Sequence, residues 1–246
     1  MFGIRKKSKH IKRPVINIEY APFPVVEAYK ALRANIQFTG VGRKVKKILF
    51  TSSNPMEGKT SVSVNLAVTL GQAGQKVLLI DTDLRKPRVH TLLGLPLSPG
   101  LTNVLVKNQG FDAAVKRDST RSIDVLTCGP IPPNPTELLG STAMKEFLDS
   151  VEENYDYIIM DTPPVLLMSD AAVLSKYADG VVIVIQAAVT TFDMVKGVIS
   201  NLEKAGANIL GCVLNDVRME EMSKHRYGTK YGYYRNYSHY YDKDSK

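Results

Sequence analysis

Apolar, largely β-branched residues recur along the chain in short unbroken runs, and several end on an acid or a hydroxyl. Lys47-Ile48-Leu49-Phe50-Thr51-Ser52, Lys76-Val77-Leu78-Leu79-Ile80-Asp81 and Asp156-Tyr157-Ile158-Ile159-Met160-Asp161 read as strands. So do residues 180–186 and 208–215, with a sixth strand at 122–127. The runs are continuous rather than alternating, the pattern of parallel strands covered on both faces. Helical stretches lie between them. Residues 60–73 are small and apolar and stop at Gly74, residues 142–153 carry apolar positions at helical spacing, and residues 192–205 stop at Gly206, a suitable C-cap. Alternating strands and helices predict an α/β fold with a doubly wound, mainly parallel sheet. Ligands of such sheets bind beyond the carboxyl ends of the strands, which is where these acids fall.

Residues 24–39 read as an amphipathic helix ahead of the core, and residues 1–20 as a basic, flexible arm. After Val217 the apolar periodicity stops. The expected organisation is therefore an arm at 1–20, one catalytic domain at 21–216 and a polar tail at 217–246. No internal repeat is visible. At 44% hydrophobic and 23% charged, the 246-residue chain can form a globular core and is not wholly disordered.

The net charge of +8 is uneven. Residues 1–47 carry 12 Lys/Arg against 2 acids (+10), residues 48–216 carry 13 against 18 (−5), and residues 217–246 carry 7 against 4 (+3). A basic end can meet nucleic acid, an anionic membrane surface or an acidic partner, or can simply be solvated. Seven of the 12 tyrosines crowd into the last 20 residues. Cys128 and Cys212 form no metal-binding spacing and are expected to be buried free thiols, which suggests a reducing compartment. The first residues lack the apolar core of a secretory signal, and no run approaches the ~20 apolar residues of a membrane span. His10, His90, His225 and His239 make no triad or metal pair.

The chemistry concentrates after the first strand. Ser53-Asn54-Pro55-Met56-Glu57-Gly58-Lys59-Thr60 links that strand to a helix and resembles a P-loop, G-x-x-x-x-G-K-[ST], with Ser53 in place of the first glycine. In this reading the backbone amides of Met56, Glu57, Gly58, Lys59, Thr60 and Ser61 cradle the β-phosphate. Lys59 reaches the β- and γ-phosphates, and Thr60 binds Mg²⁺. The neighbouring strands end in Asp81-Thr82-Asp83-Leu84-Arg85-Lys86-Pro87 and Asp161-Thr162-Pro163-Pro164. Acids at such strand tips hold Mg²⁺ directly or through water. Asp161 takes the metal-side role, Asp81 is the candidate base and also a candidate metal ligand, and Asp83 completes the metal shell. A helix-capping role is the bland alternative for each. Arg85 either stabilises transferred charge or pairs with an acid. Asn215, ending the last strand, either contacts adenine or forms a turn.

Three motifs in order, SSNPMEGKT, LLIDTDLRKP and IIMDTPP, resemble those of the bacterial tyrosine kinases. These are P-loop NTPases of the deviant Walker type that control capsule and exopolysaccharide production. Gly129-Pro130-Ile131-Pro132-Pro133-Asn134-Pro135, Glu137-Leu138-Leu139 and the segment from Glu27 to Asn35 fit the same family, so the resemblance spans roughly residues 17–246. It implies an autokinase that uses ATP and Mg²⁺ and phosphorylates a C-terminal tyrosine cluster on neighbouring subunits. The acceptors would be Tyr227, Tyr231, Tyr233, Tyr234, Tyr237, Tyr240 and Tyr241. It also implies a ring-shaped homo-oligomer assembled through Glu27, Lys30 and Arg33, and an opposing phosphotyrosine phosphatase. In the split, Gram-positive arrangement a separate membrane-spanning adaptor switches the kinase on through its cytoplasmic tail. That arrangement places the chain in the cytoplasm at the inner face of the plasma membrane, and no nucleic acid is expected.

Two departures stand out. The family has Gly where Met56 stands, and Met tolerates a positive φ poorly. Its helix motif E-x-x-R-x-x-R reads Glu27, Lys30, Arg33, and lysine cannot make arginine's bidentate fork. Competing readings explain less. A partition- or division-site ATPase switch shares the loop but usually carries a second lysine early in it and has no use for seven tail tyrosines. A nucleic-acid module that stacks bases on the tail leaves Asp81, Asp83 and Asp161 without a role. An iron–sulfur reductase of similar fold needs suitably placed thiols.

Overall fold

The computed structural model describes residues 21–39 and 45–217. The expected arm at 1–20 and the tail tyrosines lie outside the described residues. All six apolar runs form strands, and a seventh strand joins them: β1 (Lys47–Ser52), β2 (Val77–Asp81), β3 (Lys116–Asp118), β4 (Ile123–Leu126), β5 (Tyr157–Asp161), β6 (Gly180–Gln186) and β7 (Ile209–Asn215). They make one sheet in the order β3–β4–β2–β5–β1–β6–β7, parallel throughout except for the β3–β4 pair. The sequence pattern missed β3 because Lys-Arg-Asp carries no apolar signal. It is a three-residue charged edge strand, a form that discourages pairing with other chains.

The continuous apolar runs make sense in this sheet because each strand feeds two cores. Ile48, Phe50, Val77, Leu79, Ile159, Val182 and Val184 face one layer. Leu49, Leu78, Ile80, Ile158, Met160, Val181 and Ile183 face the other. Fully burying one such side chain contributes about 1.5–3 kcal/mol. The first layer is built from α2 (Lys59–Gly71) and α3 (Val89–Leu93), with α1 (Phe23–Thr39) laid across α2. Because α1 covers its outer side, α2 is buried on nearly every face, which explains its run of Val, Leu, Ala, Ser and Thr. The other layer includes α4 (Leu101–Leu105), α5 (Phe111–Ala114), α6 (Pro135–Leu139), α7 (Thr142–Glu152), α8 (Asp170–Ser175) and α9 (Phe192–Lys204).

Two expectations need correction. The apolar run of the last strand predicts cover on both faces, but β7 lies at the sheet edge, and Gly211, Cys212 and Leu214 are exposed. Cys212 is therefore not buried, whereas Cys128 is. Burial, followed by the nearby charges of Asp81 and Asp83, pushes the Cys128 thiol up to about 12. Thiol labelling of the native protein is thus expected to modify Cys212 and to spare Cys128 until denaturant is added. Equal labelling rates at the two sites would contradict this arrangement.

Among the described residues no helix is long and apolar enough to cross a membrane.

Candidate active site

Strands β1, β2 and β5 end side by side, and their tips are stitched together by threonines. The Thr82 amide and hydroxyl both donate to the Asp161 carbonyl, at 2.9 and 2.7 Å. One strand over, the Thr162 amide and hydroxyl donate to the Phe50 carbonyl at 3.1 and 2.7 Å, and Thr51 Oγ1 donates to the Pro163 carbonyl at 3.0 Å. Each Asp-Thr pair thus does two jobs. The threonine satisfies a carbonyl near the end of the adjacent strand, and the aspartate is fixed at the sheet edge. The repeated Asp-Thr dipeptide was the signal for this role, but its partners lie about 80 and 112 residues away in sequence.

Between β1 and α2 the chain makes the phosphate loop. Met56 has φ 72° and Gly58 φ 89°, so the left-handed conformation that the Met56 substitution raised is the one it adopts. Gly58 is the N-cap of α2 and has no side chain with which to cap it. Among the described residues, no acceptor is bonded to the amides of residues 56–61. Successive free amides at a helix N-terminus, with alternating backbone handedness, form a nest for an anion.

The side chains beneath the nest converge on Asp161, which is fully buried. Lys59 Nζ lies 2.9 Å from Asp161 Oδ1, Thr60 Oγ1 donates to Oδ2 at 2.7 Å, and Ser63 Oγ donates to Oδ1 at 3.2 Å. Lys59 also reaches Thr60 Oγ1 at 3.3 Å, so the lysine, the hydroxyl and the strand-tip acid form one cluster. Ser63 is a member that the motif did not reveal.

Asp81 sits directly across the β2–β5 ladder from Asp161 and is equally buried. It accepts from the amides of Val89 at 3.1 Å and Asp83 at 3.3 Å. Burial, and then the charge of Asp161, raise its pKa well above the ordinary value, with Lys59 opposing. A carboxylate so placed accepts a proton more readily near neutrality than an ordinary aspartate.

Asp83 is not drawn into this cluster. Its Oδ1 accepts the amides of Lys86 at 2.9 Å and Arg85 at 3.3 Å and closes its own turn. Arg85 pairs with buried Asp170 on α8 at 2.8 Å and donates to Thr136 on α6 at 2.9 Å, while Thr136 donates to the same carboxylate at 2.6 Å. Of the two roles open to Arg85, the structure shows the ion pair, and Asp170 is a site-adjacent acid that the sequence reading overlooked. Asn215 is brought to the loop, where its Nδ2 donates to the Glu57 carbonyl at 2.9 Å. Ser53 lies beneath the loop, buried against the Glu57 carboxylate. Glu27, Lys30 and Arg33 stand apart on α1. Glu27 and Lys30 pair with each other at 2.7 Å, and Arg33 donates to the Thr69 carbonyl at 3.2 Å.

This geometry agrees with the family evidence. Residues 45–210 match the family model described as an AAA domain. The chain is 41% identical over 230 residues to the tyrosine-protein kinase YwqD of Bacillus subtilis, covering 94% of each chain. It belongs to the bacterial tyrosine kinases. Among solved structures, the chimerical protein CapA2B2 superposes with a TM-score of 0.77 at 38% identity, covering 81% of this chain and 88% of that one. The kinase domain of the Escherichia coli tyrosine kinase ETK superposes with a TM-score of 0.79 at 34% identity, covering 87% and 83%. The protein is thus a protein-tyrosine kinase of the bacterial P-loop type, built on the deviant Walker fold.

The donor set suits a magnesium–nucleotide complex. One hydroxyl and one carboxylate converge beside an anion nest, an arrangement that leaves a hard cation free to take further ligands from phosphate and water.

Proposed function

We propose that this kinase transfers the γ-phosphoryl group of ATP to the tyrosines of its own C-terminal cluster, in trans between neighbouring subunits, and thereby regulates polysaccharide synthesis and export. The observation that carries the reading is the Lys59–Thr60–Asp161 cluster with Asp81 across the ladder, at the same sheet edge where β7 ends. Asn215 at that end is bonded to the phosphate loop, so the described chain stops at the site. Tyr227 follows Val217 by ten residues, a span of up to about 35 Å, so the first tail tyrosine can lie well away from the end of β7.

Phosphoryl transfer is mostly positioning and charge neutralisation. In this proposal the amides of residues 56–61 hold the β-phosphate and Lys59 exchanges Asp161 for the β- and γ-phosphates. Thr60 and Asp161 would hold Mg²⁺, with Asp81 and Asp83 as further candidate ligands, and Asn215 would contact the adenine. Bound Mg²⁺ supplies neutralisation of phosphate charge. Asp81 orients the tyrosine hydroxyl and takes its proton. A free tyrosine, with pKa of about 10, needs such help near neutral pH.

Subunits meet through α1 in a ring, and a membrane adaptor's cytoplasmic tail activates the kinase at the inner face of the membrane. Breaking an exposed i,i+3 pair such as Glu27–Lys30 costs only about 0.2–0.5 kcal/mol, so these side chains are available to a neighbour. Each phosphate adds roughly −1.5 to −2 charges. Several would reverse the +3 of residues 217–246 and drive subunits apart, and a phosphotyrosine phosphatase would reset the cycle.

A mixing experiment tests the trans reading. A Lys59→Ala chain with its tail intact is combined, in Mg-ATP with the adaptor tail, with an active chain truncated after residue 226. Phosphotyrosine is expected on the Lys59→Ala chain alone. Its absence there, with phosphotyrosine still formed by the intact wild-type chain, would replace transfer between subunits with transfer within one.

A further inference from the structure

We propose that the Glu57 side chain is a positioning residue for the nucleotide, a buried carboxylate that holds the outer limb of the phosphate loop so that the amides of residues 56–61 stay presented. The inference deepens the reading of this loop as an ATP site and rests on it.

Glu57 is only 2% exposed. Among the described residues it has no ion-pair partner, and four hydrogen bonds meet its charge instead. Oε2 accepts the amides of Ser53 at 2.8 Å and Asn54 at 2.9 Å, and Oε1 accepts the hydroxyls of Ser53 and Thr190, each at 2.5 Å. Burying a carboxylate is costly unless its oxygens are satisfied in this way, and hydrogen bonds to an ionised acceptor are the strong ones. The bonds close a ring within the loop, since residue 57 reaches back to the amides of residues 53 and 54.

Ser53 therefore has a use for being serine. It stands where the P-loop pattern has its first glycine, and a glycine there would have no hydroxyl to give to Glu57. Thr190 extends the clamp to the segment between β6 and α9. Its hydroxyl accepts the Gln186 amide at 2.9 Å, which leaves its proton for Glu57. Two more bonds run to the same side of the sheet, from Asn215 to the Glu57 carbonyl and from Asn54 Nδ2 to Met194 Sδ at 3.4 Å. The inner limb is tied the other way, to Asp161 on β5, so the loop is held from both sides.

The clamp is needed because of Met56. A residue with a side chain is strained in the left-handed region, and such strain persists only where the surroundings over-determine it. Met56 itself is 74% exposed, so its side chain does little to hold that conformation. Its neighbour Glu57 does so instead. Without the clamp, the loop would spend most of its time with residue 56 relaxed and the nest opened. Apparent nucleotide affinity falls in proportion to the fraction of competent loop.

Titration of the full chain with fluorescent ADP and Mg²⁺ tests this. Glu57→Ala is expected to raise Kd by about tenfold, as if the competent fraction fell to roughly one in ten. Thr190→Val and Ser53→Ala, each removing one hydroxyl donor, are expected to raise it about two- to fivefold. In the kinase assay the loss appears in KM for ATP more than in kcat. The decisive variant is Met56→Gly combined with Glu57→Ala. Glycine has no penalty at positive φ, so the double variant recovers several-fold of the lost affinity. Wild-type Kd in Glu57→Ala, or no recovery in the double variant, overturns the inference. If Glu57→Ala does not fold, Thr190→Val and Ser53→Ala decide it, and wild-type Kd in both overturns it. Failure of the wild-type chain itself to bind ADP would instead sink the reading of the loop as a nucleotide site.

Discussion

Asp81→Asn is expected to lower phosphotyrosine formation by roughly 10²–10⁴-fold, the usual contribution of a positioned acid or base, while making the nucleotide-free protein more stable. The two effects have one cause. Asp81 is fully buried, faces Asp161 across the ladder and, among the described residues, has two backbone amides for hydrogen-bond partners. Burial and the neighbouring charge both disfavour its ionised form. The sign follows directly. An acid whose pKa is raised by folding keeps its proton in the folded chain and releases it on unfolding. Stability therefore falls as pH rises from the ordinary value near 3.8 towards the folded one. An asparagine of the same shape removes that penalty and keeps one of the two amide bonds, although its NH2 cannot accept the other. A gain of about 1 kcal/mol, typical of relieving a functional-site conflict, would raise Tm by about 2–4 °C for a chain of this size. The advantage over the wild-type chain should widen as pH rises above the ordinary value near 3.8 towards the folded one. Calorimetry and phosphotyrosine detection measure the two effects separately. An unchanged Tm would refute the burial argument, and activity within tenfold of wild type would refute the base assignment.

Lys59→Ala is expected to abolish phosphotransfer and also to destabilise the fold. Lys59 and Asp161 form a buried pair, with side-chain exposures of 8% and 0%. Removing one member of such a pair leaves an uncompensated charge, at a cost of about 3–5 kcal/mol. Here the cost is aggravated because Asp81, a second acid, lies directly across the ladder. At about 2–4 °C per kcal/mol the loss in Tm is of order 10 °C. The double variant Lys59→Ala/Asp161→Asn should recover most of it, because an amide keeps partners in Thr60 and Ser63 without carrying a charge. It should remain inactive. If Lys59→Ala melts with the wild-type protein, the lysine is not engaged by Asp161 in solution. If the double variant melts lower than the single one, the charge explanation fails.

Much of this site was legible from local pattern. A strand is read from its own apolar run and a phosphate loop from consecutive residues, so β1, the loop and α2 were recognisable together. The positive φ at Met56 was equally readable, because it follows from a side chain standing where the family has glycine. The partners of the acids were not. Arg85 meets Asp170 across 85 residues, and Glu57 meets Thr190 across 133. No spacing rule connects such positions. Asp83, the second acid of its motif, looks equivalent to Asp81 in sequence, yet it closes its own turn while Asp81 lies buried on the ladder.

The failure at β7 has the same origin. Its sequence is as apolar as that of a central strand, and the order of strands decides whether both faces are covered. Placement at the sheet edge exposes Cys212 and Leu214. By itself, then, the sequence determined the α/β class, the anion-binding loop, the strand-tip acids and the family. These depend on local periodicity and on short motifs whose chemistry is carried by adjacent residues. Only the tertiary structure decided which acids share a ladder, which cation neutralises which carboxylate and what holds the loop open. Burial and Coulombic coupling act through space, and the distances they depend on are set by the packing of the whole sheet.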